Sequence, residues 1–288
     1  MSEMGGPTVR RRRLGSELRR LREAANLDQA AAARHLECST SKISRLEKGK
    51  GLAKAIELRS LLDLYKVTDD EARNQLLLIH RQAAETGWWE QAEYEQVLPS
   101  GHGVYVGLES DARSVQTWQL GFVPGLLQTE DYARAVLSDA RRQSADVDRL
   151  VHVRMQRQAR LADGPDALDV WAVIDEGALL RPVGGPDVMR AQVQALIAAA
   201  ERPNITIQVC PLAKGAHPGL AGSFSILEFG PSDPRVGYVD GRGGALFVER
   251  DEPVRQLIHD FDRMRAVALD EYESAALLRD LIAAKETQ

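Results

Sequence analysis

The segment Leu27-Asp-Gln-Ala-Ala-Ala-Ala-Arg-His-Leu-Glu-Cys-Ser-Thr-Ser-Lys-Ile-Ser-Arg-Leu-Glu-Lys-Gly49 narrows the folds open to this chain more than any other feature. It reads as two short helices, 28–36 and 40–48, with Ser39 as N-cap of the second. Ala32, Ala33, Leu36, Ile43 and Leu46 supply the apolar contact between them, and the small alanines let the helices cross closely, as a helix-turn-helix needs. Thr40, Ser41, Lys42, Ser44 and Arg45 lie on the exposed face of the second helix. Short hydroxyls, an amine and a guanidinium can hydrogen-bond base edges and phosphates in a major groove.

The surrounding pattern is helical. Leu14, Leu18 and Leu21 recur at helical spacing up to Asn26, which tolerates the left-handed conformation after a helix. A fourth helix is expected over 53–65, and Thr68-Asp-Asp-Glu71 is a capping box that opens a fifth, running to about residue 85. Residues 1–13, with Gly-Gly-Pro and then Arg10, Arg11, Arg12 and Arg13, read as a basic disordered arm able to reach DNA phosphates or a minor groove. The charge agrees. Residues 1–66 hold 15 Lys and Arg against 8 Asp and Glu, a net +7, while the remainder holds 22 against 34, a net −12. A basic segment on an acidic body points to a polyanion at one end and something else at the other.

After a junction at 87–104, marked by Gly87, Trp88 and Trp89, the pattern becomes mixed. Strands are expected at 114–120, 167–174, 205–210, 223–229, 235–240 and 245–249, and helices at 129–138, 146–161, 175–180, 186–201, 253–268 and 271–284. Grouped strands with helices on either side suggest an α+β domain over 105–288 with a mainly antiparallel sheet, behind an all-α five-helix domain over 14–86. No apolar run approaches ~18 residues, so no membrane span is expected, and the N-terminus lacks the apolar stretch of a secretory signal. Cys38 and Cys210 form no disulfide framework, and a reducing cytoplasm is the simplest location.

Residues 14–66 resemble the Xre-type, phage-repressor-like helix-turn-helix family, whose third helix is the recognition helix. The resemblance implies base contacts from Thr40, Ser41 and Arg45, with Arg45 on a guanine, a phosphate contact from Gln29 that also supports the recognition residues, and phosphate or water-mediated contacts from Lys42 and Ser44. It implies a structural ion pair between Arg22 and Glu47. The chain departs from the family at Glu37, where the turn usually has glycine. A non-glycine residue there costs about 1–2 kcal/mol. The segment Phe122-Val-Pro-Gly-Leu-Leu-Gln-Thr-Glu-Asp-Tyr-Ala133, with Arg157-Gln158, Asp175-Glu-Gly-Ala-Leu-Leu180, Pro182-Val-Gly-Gly-Pro186 and Gly215-Ala-His-Pro-Gly219, resembles an actinobacterial C-terminal domain of unknown function. That domain follows an Xre-type helix-turn-helix in WhiJ-like, antitoxin-like regulators. The likeness implies control of development or secondary metabolism and a small partner protein encoded by a neighbouring gene.

Constellations for catalysis are missing from the sequence: no Walker loop, His-Glu-x-x-His, Cys-x-x-Cys or Gly-x-Ser-x-Gly. Asp175-Glu176 suits a helix start, His217 a loop held by backbone, Gly241-Arg-Gly-Gly244 a hairpin, and both cysteines apolar positions. No catalytic residue, metal ligand or cofactor is expected. The expectation is a sequence-specific regulator binding double-stranded DNA at a palindromic operator as a homodimer. Its second domain takes a small partner protein or, as the alternative, a small molecule. A DNA-tethered enzyme ranks last.

Overall fold

The computed structural model describes residues 9–84, 87–138, 143–164, 166–230, 233–241 and 244–286. The chain divides into two compact units, Met1–Gln91 and Ala92–Gln288. Among the described residues there are thirteen α-helices, five of them in the first unit.

Those five are α1 (Val9–Ala24), α2 (Gln29–His35), α3 (Thr40–Glu47), α4 (Ala55–Leu64) and α5 (Asp70–Ala83). Their shared core holds Leu14 and Leu18 of α1, Ala32 and Ala33 of α2, Ile43 and Leu46 of α3, Leu58, Leu61 and Leu62 of α4, and Leu76 of α5. Burial of these apolar stripes, rather than intrinsic propensity, makes such short helices stable. Asp28 caps α2 by accepting the Ala31 N–H, and Ser39 caps α3 by accepting the Lys42 N–H.

Four of the five helices end by one device. Asn26, Glu37, Gly49 and Lys66 take φ of 55°, 51°, 63° and 56°. After each, an amide reaches back five residues: Leu27 to the Arg22 carbonyl, Cys38 to Ala33, Lys50 to Arg45 and Val67 to Leu62, at 2.8–3.1 Å. This closure satisfies carbonyls that a helix end leaves open. Three of the four left-handed residues are not glycine. The position that keeps glycine also needs its missing side chain, because a Cβ on Gly49 would lie 2.7 Å from the Arg12 Cα.

Two expectations are corrected here. Residues 9–13 are not part of a disordered arm but the start of α1, and residues 1–8 lie outside the described set. Arg11 is held within the unit, its Nε donating to the Ala83 carbonyl at 2.9 Å. Residues 87–104 are not a plain linker. They carry a 3-10 turn at Trp88–Glu90, then α6 (Ala92–Glu95) and the start of α7 (His102–Asp111).

The second unit continues with β1 (Ser114–Gln119), α8 (Glu130–Ser138), α9 (Ser144–Arg157), β2 (Asp169–Asp175), α10 (Glu176–Leu180), α11 (Pro186–Ala200) and β3 (Ile205–Cys210). Then come β4 (Phe224–Glu228), β5 (Val236–Gly241), β6 (Gly244–Val248), α12 (Asp251–Val267) and α13 (Glu271–Glu286). The six strands form one sheet in the order β3-β2-β1-β4-β5-β6. It is mixed, not mainly antiparallel: β1 and β3 flank β2 in parallel, while β1–β4, β4–β5 and β5–β6 pair antiparallel. The cause is the connections. Helical crossovers return the chain to the same end of the sheet, so β1, β2 and β3 must run the same way. One side of the sheet packs Trp118, Val173, Phe224 and Ile226 against Phe261 and Met264 of α12. A separate apolar cluster joins Ala133 and Leu137 of α8 to Val147, Leu150 and Val151 of α9.

Candidate nucleic-acid interface

The α2–α3 pair is built from the inside. Ala32 and Ala33 are buried against Ile43 and Leu46, and the left-handed Glu37 turns the chain between the helices. Beneath α3 lies an ion pair. Arg22 Nε and Nη2 donate to the two carboxylate oxygens of Glu47 at 2.6 and 3.0 Å, and the side chains are only 9% and 3% exposed. Arg22 Nη1 also donates to the Leu27 carbonyl at 2.7 Å. The hydrogen bond with Glu47 holds the Arg22 guanidinium above its ordinary pKa against the opposing effect of burial. Burial, together with the Glu47 charge, pushes the nearby Tyr65 hydroxyl up to about 12.

The residues singled out in the sequence fall into three groups. Thr40, Ser41 and Arg45 are exposed, with Ser44 half-buried beside them, so α3 presents two hydroxyls and a guanidinium to solvent. Gln29, at the start of α2, is turned inward in part, and its Nε2 donates to Glu47 at 2.8 Å. Lys42 is engaged too: its Nζ donates to Glu57 of α4 at 2.6 Å. Arg10 and Arg12 are half-buried on the first turns of α1, as is Arg11, while Arg13 is exposed. The structure thus brings Arg22, Gln29 and Glu47 into one network and leaves Thr40, Ser41 and Arg45 outside it.

Glu57 escaped the sequence reading. The signal was present, because it stands three residues after Lys54 at a helix start, where a carboxylate can accept the N-cap amide. It does so at 2.9 Å. Burial pushes the Glu57 carboxyl up, but the hydrogen bonds and charges of Lys42 and Lys54 outweigh it and leave the pKa below the usual carboxylate range.

The second unit carries a buried polar cluster that the sequence did not announce. Arg157 of α9 donates to both oxygens of Glu109 of α7, at 2.6 and 2.7 Å, and stands 5.3 Å from the centre of the Tyr105 ring. Tyr105 packs against Tyr238 of β5 at 4.2 Å, and His102 lies edge-on to Tyr238. Burial, aided by the Arg157 charge, lowers His102 to a pKa of about 4. The signal was His102, Tyr105 and Glu109 at helical spacing, but Gly103 and Gly107 in the same stretch weaken a helical reading.

Other candidates have structural partners. Asp175 accepts the Gly177 N–H and Glu176 the Leu212 N–H, both at 2.8 Å. His217 lies edge-on to Trp118 at 5.2 Å. Cys210 is fully buried, and its thiol is pushed up to about 11 by burial and by Asp175. Arg242 and Gly243 lie outside the described residues. Among the described residues no group of three or more His, Cys, Asp or Glu could hold a metal ion, and no helix is long and apolar enough to cross a membrane.

Residues 13–76 match a family model described as a helix-turn-helix domain, and residues 103–280 match one described as a domain of unknown function (DUF5753). No curated protein and no solved structure matches the chain.

Proposed function

The chain belongs to the DUF5753 family and carries a helix-turn-helix domain ahead of that region, and from this premise we propose that it is a sequence-specific transcription regulator. The observation that carries the proposal is the state of α3. Thr40, Ser41 and Arg45 are exposed on a helix fixed from beneath by Arg22, Glu47 and Gln29. A rigid support under a solvent-facing polar edge is what direct readout requires, since a base-contacting side chain must be held in register. In this reading Arg45 pairs with a guanine, Thr40 and Ser41 contact neighbouring bases, and Ser44 and Gln29 contribute phosphate or water-mediated contacts.

One recognition helix makes too small an interface for tight specific binding. The regulator therefore acts as a homodimer on a palindromic operator, with half-sites about one helical turn, roughly 34 Å, apart. The acidic second unit supplies an assembly or partner-binding surface rather than catalysis. The likeness of Phe122–Ala133 and its companion segments to WhiJ-like, antitoxin-like regulators supports a small partner protein encoded nearby and a role in development or secondary metabolism.

Selection of bound duplexes from a random library by the purified full chain, followed by sequencing, tests this. Wild type should enrich a two-fold-symmetric motif. Arg45→Ala should lose the preference at one or two positions, worth about 1–3 kcal/mol each, while keeping weak, salt-sensitive binding. An Arg45→Ala protein that enriches the wild-type motif would refute the role of α3.

A further inference from the structure

Lys42 sits on the same helix as Thr40, Ser41 and Arg45, yet its ammonium is not offered to solvent in the same way. It donates to Glu57 Oε1 at 2.6 Å, with the two side chains 40% and 19% exposed. The other oxygen, Oε2, accepts the Lys54 backbone N–H at 2.9 Å. Glu57 stands in the first turn of α4, where the helix dipole also favours an anion. Its carboxylate is thus anchored by backbone and dipole before Lys42 is considered, so the lysine is the member that is held.

We propose that Glu57 is a positioning residue that withholds Lys42 from the phosphate backbone, and so limits how much of the protein's DNA affinity is independent of sequence. This rests on the DNA-binding reading of α3 and revises the phosphate contact expected of Lys42. Each phosphate neutralised by a lysine releases condensed counterions and adds about 0.9 to the steepness of log K against log salt on B-DNA. Such a contact carries no sequence information. A lysine already paired with a fixed carboxylate must give up that partner before it can pair with a phosphate. Arg45, by contrast, is exposed and donates from Nη2 to a neutral acceptor, the Lys50 carbonyl, at 3.5 Å.

The test is a double-mutant cycle on the full chain. Wild type, Lys42→Ala, Glu57→Gln and the double variant are titrated by fluorescence anisotropy against a random-sequence 30-base-pair duplex from 50 to 200 mM NaCl. Glutamine keeps an acceptor for the Lys54 amide, and a cooperative thermal transition well above the assay temperature in every variant shows that the fold is retained. Glu57→Gln should bind more tightly at low salt and steepen the salt dependence by about 0.9, an extra ~3.5-fold loss of affinity over that fourfold salt range. Lys42→Ala should remove that extra steepness in the Glu57→Gln background and have a much smaller effect when Glu57 is present. Equal effects of Lys42→Ala in both backgrounds, or steepening by Glu57→Gln that survives without Lys42, would overturn the role of Glu57. A wild-type chain that binds no duplex would overturn the DNA-binding reading and this proposal together, so the two failures are distinct.

Discussion

Replacing Glu47 by alanine should loosen α3 substantially. The Glu47 carboxylate accepts three hydrogen bonds, from Arg22 Nε at 2.6 Å, Arg22 Nη2 at 3.0 Å and Gln29 Nε2 at 2.8 Å. Its loss leaves a buried guanidinium with the Leu27 carbonyl as its remaining close acceptor and a more distant contact to Glu23 at 3.6 Å. Breaking a buried pair from one side costs about 3–5 kcal/mol, because the other charge stays buried and uncompensated. A whole domain is stable by only about 5–15 kcal/mol, so this is a large share. The double change Arg22→Met, Glu47→Leu removes both charges together and should recover most of the loss, since well-packed apolar replacements of buried pairs are often neutral or stabilising. Hydrogen exchange of the full chain, followed on peptides from α1 and α3, reads the effect locally. At 1.4 kcal/mol per tenfold, Glu47→Ala should speed exchange in α3 roughly a hundred- to several-thousand-fold. Less than a tenfold change, or a double variant as unstable as Glu47→Ala, would refute the view that this ion pair holds α3 in place.

Three further outcomes follow from single contacts. Glu37→Gly should raise or at least preserve the urea midpoint, because it relieves about 1–2 kcal/mol of left-handed strain at the cost of about 0.5–1 kcal/mol of glycine entropy; a lower midpoint counts against strain in the turn. Gly219→Ala should destabilise the second unit by about 1–3 kcal/mol, read as a lower thermal midpoint, since the new Cβ would meet Trp118. The contact would be at 2.4 Å, and the ring is fully buried and tied to the Gly219 carbonyl at 2.8 Å. The Glu57 carboxyl has a lowered pKa in the folded chain, so its contribution is complete above its unfolded value of about 4.3 and is lost as pH falls through the folded one. Glu57→Gln should therefore flatten the fall in urea stability between about pH 5 and pH 3, and a pH profile identical to wild type would contradict the pairing.

The sequence by itself determined the features that local chemistry controls. The alanine-lined crossing of α2 and α3, the Ser39 cap and the left-handed stop at Asn26 depend on residues a few positions apart, and they could be read from spacing. The existence of six strands was equally legible from apolar runs between turn residues. The tertiary structure alone decided how those pieces face one another. The direction of β1, β2 and β3 depends on where the intervening helices deliver the chain, which no single strand's composition encodes. The basic run Arg10 to Arg13 joined α1 because α1 packs against α3 and α5, and Arg11 finds its acceptor 72 residues away. Lys42 meets Glu57 and Arg157 meets Glu109 across 15 and 48 residues. Polar side chains take their partners from whatever the fold brings within ~3 Å, so residue type named the cations in advance while packing chose which of them face solvent and which are paired.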